Sequence, residues 1–492
     1  MNDEDKKKLI KECLSKGLLF SPELGQKSEE KENIFYFENT KKINLSIQEN
    51  KESAEIENTE EFLNKDVEIL TSYGEKWKKK TIKDFFNHYS SRFKTLSQML
   101  RRREELKGAT AIKRISLRNQ NESVATIGMV KSKRITKNDH ILLVIEDLTG
   151  ETSVLISKNK NTKEEGKDKS LYEEAKDICL DEVIGVLGNK GESDIIFASG
   201  LVWPDLPRGM EFKKSPVEEY AVFIGDTHFG SKHFLHKEFN LFLNWITGKI
   251  GSPAQKEMAK KIKYLFLVGD LIEGAGIYPN QEDDLEVKDI YKQYEIFSSF
   301  LKKIPESISI IICPGNHDPV RVHEPQPPIP QEYAKDIYAL KNTYFVSSPA
   351  SVRIGKKDNF KGLDVLLYHG YSFPFYADSV ESIRQVGGLE RVDKILEYLL
   401  KRRHFAPQHG STQFVPDYEE DSLIIKNIPD ILVTGHIHRS TTTIYKNITL
   451  LNCSCWIGQT EYQEKRGLKP QPAKATVINL KTRETKILSF AK

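Results

Sequence analysis

The sequence is poor in features that would point to several classes of protein. Only five of its 492 residues are cysteine, an odd number placed mostly in apolar runs, which argues against a disulfide framework or zinc-finger spacing and favours buried thiols in a reducing compartment. No apolar run approaches the roughly 20 residues that span a bilayer. The first residues, MNDEDKKKLIKECL, lack a signal-peptide core, so we expect a soluble cytoplasmic protein with no membrane association. The net charge of +3 neither requires nor excludes nucleic acid as a partner.

The chain is too long for one hydrophobic core, and its composition changes several times along its length. Residues 1–25 carry apolar side chains at helical spacing and predict a small helical unit. Residues 26–76 are rich in Glu, Lys, Asn and Ser and predict a mostly flexible linker. Residues 77–106 return to helical spacing and predict an amphipathic helix.

Short strands dominate residues 107–207. Five apolar runs separated by turn residues predict them: Val124–Val130, Ile141–Glu146, Ser153–Ile156, Glu182–Leu187 and Asp194–Ala198. A short helical stretch follows the third run. Five strands with a helix after the third predict a small closed β-barrel of the oligonucleotide/oligosaccharide-binding type, the OB-fold.

Apolar strands alternate with helical patterns over residues 216–492, which predicts an α/β domain. Five near-continuous apolar runs suit strands that are covered on both faces: Ala221–Ile224, Tyr264–Val268, Ile308–Cys313, Asp364–Tyr368 and Ile431–Val433. Each run leads into a short polar segment. Because ligands gather at the carboxyl ends of strands in α/β sheets, we expect all five polar segments at one edge of one sheet.

These polar segments supply carboxylates, imidazoles and one amide. The side chains are Asp226, His228, Asp270, Asn316, His317, Asp318, His369, His436 and His438. This set suits a pair of divalent metals, and the mixture of imidazole and carboxylate favours manganese, iron or zinc over calcium. Two such metals clamp a phosphate and activate a water, which predicts hydrolysis of a phosphate ester. A single histidine is more often a core or surface residue, and we assign no metal to His233, His236, His323 or His404.

The order D-x-H, G-D, G-N-H-D, H-G and G-H-x-H resembles the calcineurin-like metallophosphoesterase family. The resemblance implies a double-layered α/β sandwich with a dinuclear site. It implies that Asp270 bridges two metals and that the other ligands divide into two sets, Asp226, His228 and His438 for the first metal and Asn316, His369 and His436 for the second. It also implies that the catalytic residue His317 protonates the leaving oxygen, with Asp318 orienting it.

A barrel followed by this phosphoesterase resembles a narrower family, the small subunits of archaeal family D DNA polymerase, which are related to the B subunits of eukaryotic replicative polymerases. The likeness covers residues 77–492 and is carried by Gly128–Asn138, Ile196–Asp205, Asn316–Pro330, Gly458–Gln463 and Pro470–Pro472. It implies a nucleoid-associated 3′→5′ exonuclease that uses two metals, manganese first, with iron, zinc or magnesium as alternatives. It further implies frayed or single-stranded 3′ ends as the substrate, and a large partner subunit that synthesises DNA.

Three other functions stay open at this stage. A non-catalytic polymerase scaffold is disfavoured by the complete ligand set. A stand-alone repair nuclease of the same superfamily would not carry an N-terminal barrel, and a small-molecule or protein phosphatase would not explain the barrel either.

Two secondary motifs have ordinary explanations that we favour. Ile82, Phe85 and Phe86 resemble a sliding-clamp-binding box, but Lys79 stands where glutamine is usual, and packing of the same helix against the core is the preferred interpretation. The charged run Lys158–Lys169 is interpreted as a solvated loop of the barrel rather than a DNA contact.

Overall fold

The computed structural model describes residues 67–74, 79–158, 169–207, 209–416, 420–465 and 467–491. The helical unit predicted over residues 1–25 lies outside these residues, as do most of the predicted linker and most of the charged run Lys158–Lys169. Within the described residues, no helix has both the length and the apolar character that crossing a bilayer requires.

The described chain begins with a strand, β1 (Val67–Ser72), inside the range where a linker was predicted. β1 pairs antiparallel with residues 350–354, almost 300 positions further along the chain, so the linker prediction for 26–76 is wrong over this strand. The reason is that β1 is a half-exposed strand at a sheet edge, with only two partly buried positions. Such a short strand leaves little periodicity to detect.

Helix α1 (Ile82–Leu100) is shorter than the helix predicted over 77–106. It starts at a capping box in which the Asp84 carboxylate accepts hydrogen bonds of 2.7 Å from both the N–H and the hydroxyl of Thr81. After Leu100 the chain turns through a short 3₁₀ segment, Glu104–Leu106, which interrupts the regular helical spacing.

The inward face of α1 is polar in its first half. His88 and Arg92 are buried, whereas Ile82 and Phe86 are 90% and 66% exposed. The helix does pack against the core, through Leu96 and Leu100, and Phe85 contacts the ring of Phe414, whereas Ile82 and Phe86 of the clamp-like box stay outside the core. The reason is that Arg92 forms a buried ion pair with Asp421, which turns the opposite face of the helix outward. Binding of a sliding clamp to the exposed side chains stays a prediction.

The closed five-stranded barrel is confirmed, with strand order β2-β3-β4-β6-β5. Its strands are β2 (Ser123–Ile135), β3 (Ile141–Asp147), β4 (Gly150–Ile156), β5 (Val183–Lys190) and β6 (Ile196–Val202), and helix α2 (Leu171–Lys176) follows β4. Closure gives every barrel strand two neighbours, and the closing pair, β4 with β6, is joined over only two positions.

The rest of the chain builds two six-stranded sheets with helices outside them. The strands are β7 (Tyr220–Ile224), β8 (Ile262–Val268), β9 (Ser309–Cys313), β10 (Thr343–Phe345), β11 (Ala350–Ile354), β12 (Leu363–Leu367), β13 (Ile431–Thr434), β14 (Thr441–Tyr445), β15 (Ile448–Asn452), β16 (Lys474–Asn479) and β17 (Thr485–Ser489). The helices are α3 (His236–Ile246), α4 (Pro253–Lys260), α5 (Ile290–Leu301), α6 (Lys335–Tyr338), α7 (Phe373–Ser379), α8 (Glu381–Gln385), α9 (Val392–Arg402) and α10 (Glu461–Lys465).

The five predicted strands of this region are divided between the two sheets, so the expectation of a single sheet is wrong. One sheet has the order β10-β9-β8-β7-β16-β17, and the other has the order β1-β11-β12-β13-β15-β14. Apolar side chains of both sheets, such as Phe266 and Val365, form a common core between them. Because each sheet is covered by its partner on one face and by helices on the other, the apolar runs look alike in the sequence.

A buried polar cluster joins the barrel to the two-sheet region, and both belong to one compact unit spanning residues 60–492. Glu182, immediately before β5, accepts hydrogen bonds from Trp203 at 2.9 Å, Arg402 at 2.9 Å and Tyr398 at 2.7 Å. Removing one partner of such a buried pair costs about 3–5 kcal/mol, so this contact fixes the barrel firmly against α9.

Candidate metal centre

The backbone at the predicted ligands is unusual. Five of the seven predicted metal ligands have positive φ angles: Asp226 (51°), His228 (49°), Asp270 (49°), His436 (69°) and His438 (57°). For residues other than glycine this conformation costs about 1–3 kcal/mol and persists only where the surroundings hold it. The loops after β7, β8 and β13 are therefore held in strained shapes that turn these side chains toward one another.

The first predicted ligand set is brought together. Ligand atoms of Asp226, His228 and His438 all lie within 4.8 Å of one another. The Nε2 atoms of His228 and His438 are 3.2 Å apart, and the Nε2 atom of His438 is 3.4 Å from Oδ1 of Asp226. All three residues are largely buried, His438 the least of them.

The second set lies beside the first. Ligand atoms of Asp270, His369 and His436 lie within 4.8 Å of one another, and Oδ1 of Asn316 is 3.2 Å from Nε2 of His369. One oxygen of Asp270, Oδ2, is 3.2 Å from Nε2 of His369 and 3.8 Å from Nε2 of His228. A single carboxylate oxygen therefore faces both sets.

The chemistry of these donors fits a pair of cations. In the described part of the chain, the recorded ion pairs of Asp226 and Asp270 are with histidines alone. Two buried carboxylates are thus left without a guanidinium or ammonium partner, among imidazole nitrogens that carry lone pairs when neutral. Such a donor set suits manganese, iron or zinc.

The pKa values of these side chains, considered without a metal, reflect how closely the acidic and basic groups are packed. Burial would raise the pKa of the Asp270 carboxyl, but the His369 and His317 imidazoles hold it well below its usual range. Burial lowers the pKa of His369, yet the neighbouring Asp270 carboxylate raises it to about 9. Burial lowers the pKa of His436 to about 3, so this imidazole is neutral and has a free lone pair, as a metal ligand requires.

Glu273 orients two histidines of the centre and was missed in the sequence. Its backbone carbonyl lies 2.8 Å from Nδ1 of His317, and its carboxylate lies 3.0 Å from Nδ1 of His228. Burial raises the pKa of Glu273, but the imidazole of His228 lowers it to about 2, so the side chain is a carboxylate. The sequence feature that could have indicated this role is the acidic residue directly after the apolar pair Leu271-Ile272.

The orienting role assigned to Asp318 is wrong. Its carboxylate accepts hydrogen bonds from the N–H of Gly315 at 2.8 Å, the N–H of Leu271 at 3.2 Å and the hydroxyl of Tyr294 at 2.8 Å. Burial raises its pKa to about 6. Asp318 points away from His317 because these donors surround it, and it braces the loops that carry Asp270 and Asn316.

Other side chains surround the centre without belonging to the predicted site. The side-chain amide of Gln463 lies 2.8 Å from Nδ1 of His438, and the carbonyl of Val268 lies 3.1 Å from Nδ1 of His369. Such contacts fix the ring orientation of a ligating histidine. The four histidines to which no metal was assigned, His233, His236, His323 and His404, belong to none of the metal-ligating clusters found in the described residues.

Comparison with known proteins identifies the family. The chain is 38% identical over 398 residues to the DNA polymerase II small subunit of Methanothermobacter thermautotrophicus, which covers 81% of this chain and 78% of that protein. It is also 38% identical to the Archaeoglobus fulgidus DNA polymerase II small subunit, over 80% of this chain and 75% of that one. The chain belongs to the archaeal DNA polymerase II small-subunit family. This confirms the resemblance to the family D polymerase small subunits.

Comparison with family models agrees with membership of the small-subunit family. A family model for the B subunit of DNA polymerases alpha and epsilon matches residues 221–443, which contain every predicted metal ligand. The solved structure of a novel archaeal phosphodiesterase matches over 55% of this chain and 98% of its own, at 13% identity and a TM-score of 0.25. A likeness that low carries no functional argument.

Proposed function

We propose that this chain is the small subunit of a heteromeric DNA polymerase and carries a metal-dependent 3′→5′ exonuclease that removes mispaired ends. The observation that carries the proposal is the Asp270 carboxylate oxygen that faces both ligand sets, 3.2 Å from His369 and 3.8 Å from His228. A bridging carboxylate of this kind is what a two-metal hydrolytic site needs. Family membership supports the partner, a large subunit that synthesises DNA, with manganese as the first candidate metal.

The residues of the centre have distinct tasks in this reaction. Two cations held by the seven ligands would polarise the terminal phosphodiester and supply a water of lowered pKa for in-line attack. The Nδ1–H of His317 donates to the Glu273 carbonyl, which leaves Nε2 as the nitrogen that faces the substrate. As the water oxygen bonds to phosphorus and the P–O3′ bond breaks, His317 in its protonated form gives its Nε2 proton to the 3′ oxygen, and a nucleoside 5′-monophosphate leaves.

The substrate we propose is a frayed or single-stranded 3′ end. A paired terminus must first be unstacked, which costs a few kcal/mol, so a mismatched end reaches the centre more readily. The closed barrel, of the OB type in this proposal, lies against α9 through Glu182 and serves as a docking module for the partner subunit.

The test is release of nucleotides from DNA with a mismatched 3′ end in manganese, by the purified chain alone and with its large subunit. Asp270→Ala and His317→Ala should abolish release. His236→Ala is the matched control, because His236 is 53% exposed and lies outside the metal-ligating clusters. Release that survives in both site variants would reveal a contaminating nuclease, and activity on phosphomonoesters but not on DNA would replace the nuclease with a phosphatase.

A further inference from the structure

An aromatic side chain lies at the rim of the second ligand set. Tyr371 follows His369 and Gly370 at the end of β12, and its ring centroid is 5.7 Å from that of His436 at an angle of 69°. Gly370 has a φ of 115°, and a Cβ atom there would lie 3.0 Å from the ring of Phe373. The tight turn at Gly370 therefore fixes where Tyr371 projects beside the centre.

A second tyrosine near the centre is held quite differently. The Tyr278 ring lies 6.3 Å from the His317 ring, and its hydroxyl lies between two carboxylates that share its hydrogen, 3.0 Å from Asp284 and 3.2 Å from Glu273. Tyr371 is half-buried, and within the described residues its hydroxyl has no recorded hydrogen-bond partner. Tyr278 is thus part of the scaffold around His317, whereas Tyr371 presents ring surface that the protein leaves uncovered.

The two tyrosines stand beside different ligand sets. His317 packs against His228 of the first set, with ring centroids 4.7 Å apart, whereas Tyr371 packs against His436 of the second set. In the proposed reaction His317 marks the position of the leaving 3′ oxygen, and therefore of the remaining strand. The departing nucleoside is attached to phosphorus through its 5′ oxygen and must extend in another direction.

We propose that Tyr371 stacks against the base of the terminal nucleotide that is released. The inference rests on the proposed exonuclease function and adds a binding site for the base to it. Every base has a flat π face, so a tyrosine ring binds all four with little sequence preference, which suits removal of any mispaired residue. The contact would hold the unstacked base while His317 acts at the other side of the phosphate.

The test compares two DNA substrates that differ only in the last base. One carries a mismatched 3′ nucleotide, and the other carries an abasic 3′ residue. Tyr371→Ala should raise KM for the first substrate by about 5- to 100-fold and leave the second unchanged, because only the first has a base to stack. Tyr371→Phe should behave as wild type. Tyr291→Ala, which removes an exposed tyrosine of α5 paired with Tyr333, is the matched control.

Binding without turnover gives a second measurement. In a His317→Ala background, bound DNA ending in 2-aminopurine should fluoresce less when the Tyr371 ring is present than when it is absent, since stacking quenches this base. Adding Tyr371→Ala should therefore raise the fluorescence of the bound DNA, and adding Tyr371→Phe should leave it unchanged.

Several results would overturn the inference. An equal loss on abasic and base-bearing ends would make Tyr371 a packing residue, and a loss in Tyr371→Phe would assign the effect to the hydroxyl. Wild-type release with no effect of Tyr371→Ala would remove this inference and leave the exonuclease intact. No manganese-dependent release from either DNA by wild type, alone or with the large subunit, would overturn the exonuclease and the base site together.

Discussion

Two buried clusters of histidine and aspartate in this molecule differ in how their charge is balanced. One is the candidate metal centre around Asp270. The other, which we call the Asp421 cluster, consists of Asp421, Arg92, His404 and His88. In the Asp421 cluster one carboxylate oxygen lies 2.6 Å from Nε of Arg92, 2.8 Å from Nε2 of His404 and 3.3 Å from Nε2 of His88.

In the Asp421 cluster, the negative charge of the carboxylate is balanced without a bound metal ion. Arg92 supplies a permanent positive charge and also donates a hydrogen bond of 2.6 Å to the carbonyl of Pro407. Neither Arg92, Asp421 nor His404 has a positive φ angle. In the candidate metal centre, Asp226 and Asp270 pair with histidines and with no arginine or lysine of the described chain, and five predicted ligands have strained backbone. The comparison teaches that histidines next to buried carboxylates suggest a metal only where no fixed cation already balances the charge.

Replacing Asp270 with alanine should give the largest effect, and it should be on activity. Loss of the bridging carboxylate should lower the exonuclease rate by at least about 1000-fold. The free energy of unfolding of the metal-free protein should fall by less than in the Asp421 variant described next, because the neighbouring imidazoles, unlike a guanidinium, can lose their protons. Rates on mismatched DNA and urea titrations measure the two quantities. A large loss of stability in the metal-free protein would show that the two clusters balance their buried charge in the same way.

Replacing Asp421 with alanine should have the opposite profile. The change leaves the Arg92 guanidinium buried and unpaired, which should lower the free energy of unfolding by about 3–5 kcal/mol. The double variant Arg92→Leu/Asp421→Leu should recover most of this stability, since no charge is then stranded. Urea denaturation measures both variants, and equal destabilisation of the single and double variants would contradict the explanation.

Acid should lower the free energy of unfolding of the protein, partly through protonation of His404. Burial lowers the pKa of His404 to about 4, and its Nδ1 accepts a hydrogen bond of 2.8 Å from the N–H of Ala406. Between pH 6.5 and 4 the unfolded chain takes up a proton at this histidine while the folded protein does not. The free energy of unfolding therefore has its full value above pH 6.5 and falls by up to about 3 kcal/mol as the pH approaches 4. His404→Gln removes this titration. The stability difference between wild type and His404→Gln should therefore change over that pH range, and a constant difference would refute the assignment.

Manganese should stabilise the wild-type protein and distinguish the clusters directly. A ligand at 100 times its dissociation constant adds about 2.7 kcal/mol to the free energy of unfolding, and a chelator should reverse the gain. The Tm increase should be absent in Asp270→Ala and present in Asp421→Asn. An equal increase in both variants would place the bound ion elsewhere.

Much of the centre could be predicted because its side chains lie in short segments directly after apolar strands. Asp226, His228 and Asp270 could be placed together from the order of these segments alone. The orientation of His317 could not be, because Asp318 is its neighbour in sequence while Glu273 is its neighbour in space. Gln463 was likewise hidden, since it reaches His438 from a separate helix near the C-terminus.

The fold was less completely predictable for a related reason. Apolar periodicity reports that a strand is covered but not which sheet covers it, so β7, β8 and β9 could not be separated from β12 and β13. The inward face of α1 was misread because its buried residues include Asp84, His88 and Arg92. A polar face turns inward only when its partner is present, and here that partner, Asp421, lies 329 positions away from Arg92.

The pairing of β1 with β11 has a practical consequence for dissecting the protein. A strand that precedes the barrel completes a sheet that follows it, so the polypeptide enters the two-sheet region, leaves to form the barrel and then returns. A fragment that starts at residue 216 would expose the backbone N–H and C=O groups of β11 along one side. Such a fragment should self-associate through that bare edge, whereas one that starts at residue 60 would keep it covered.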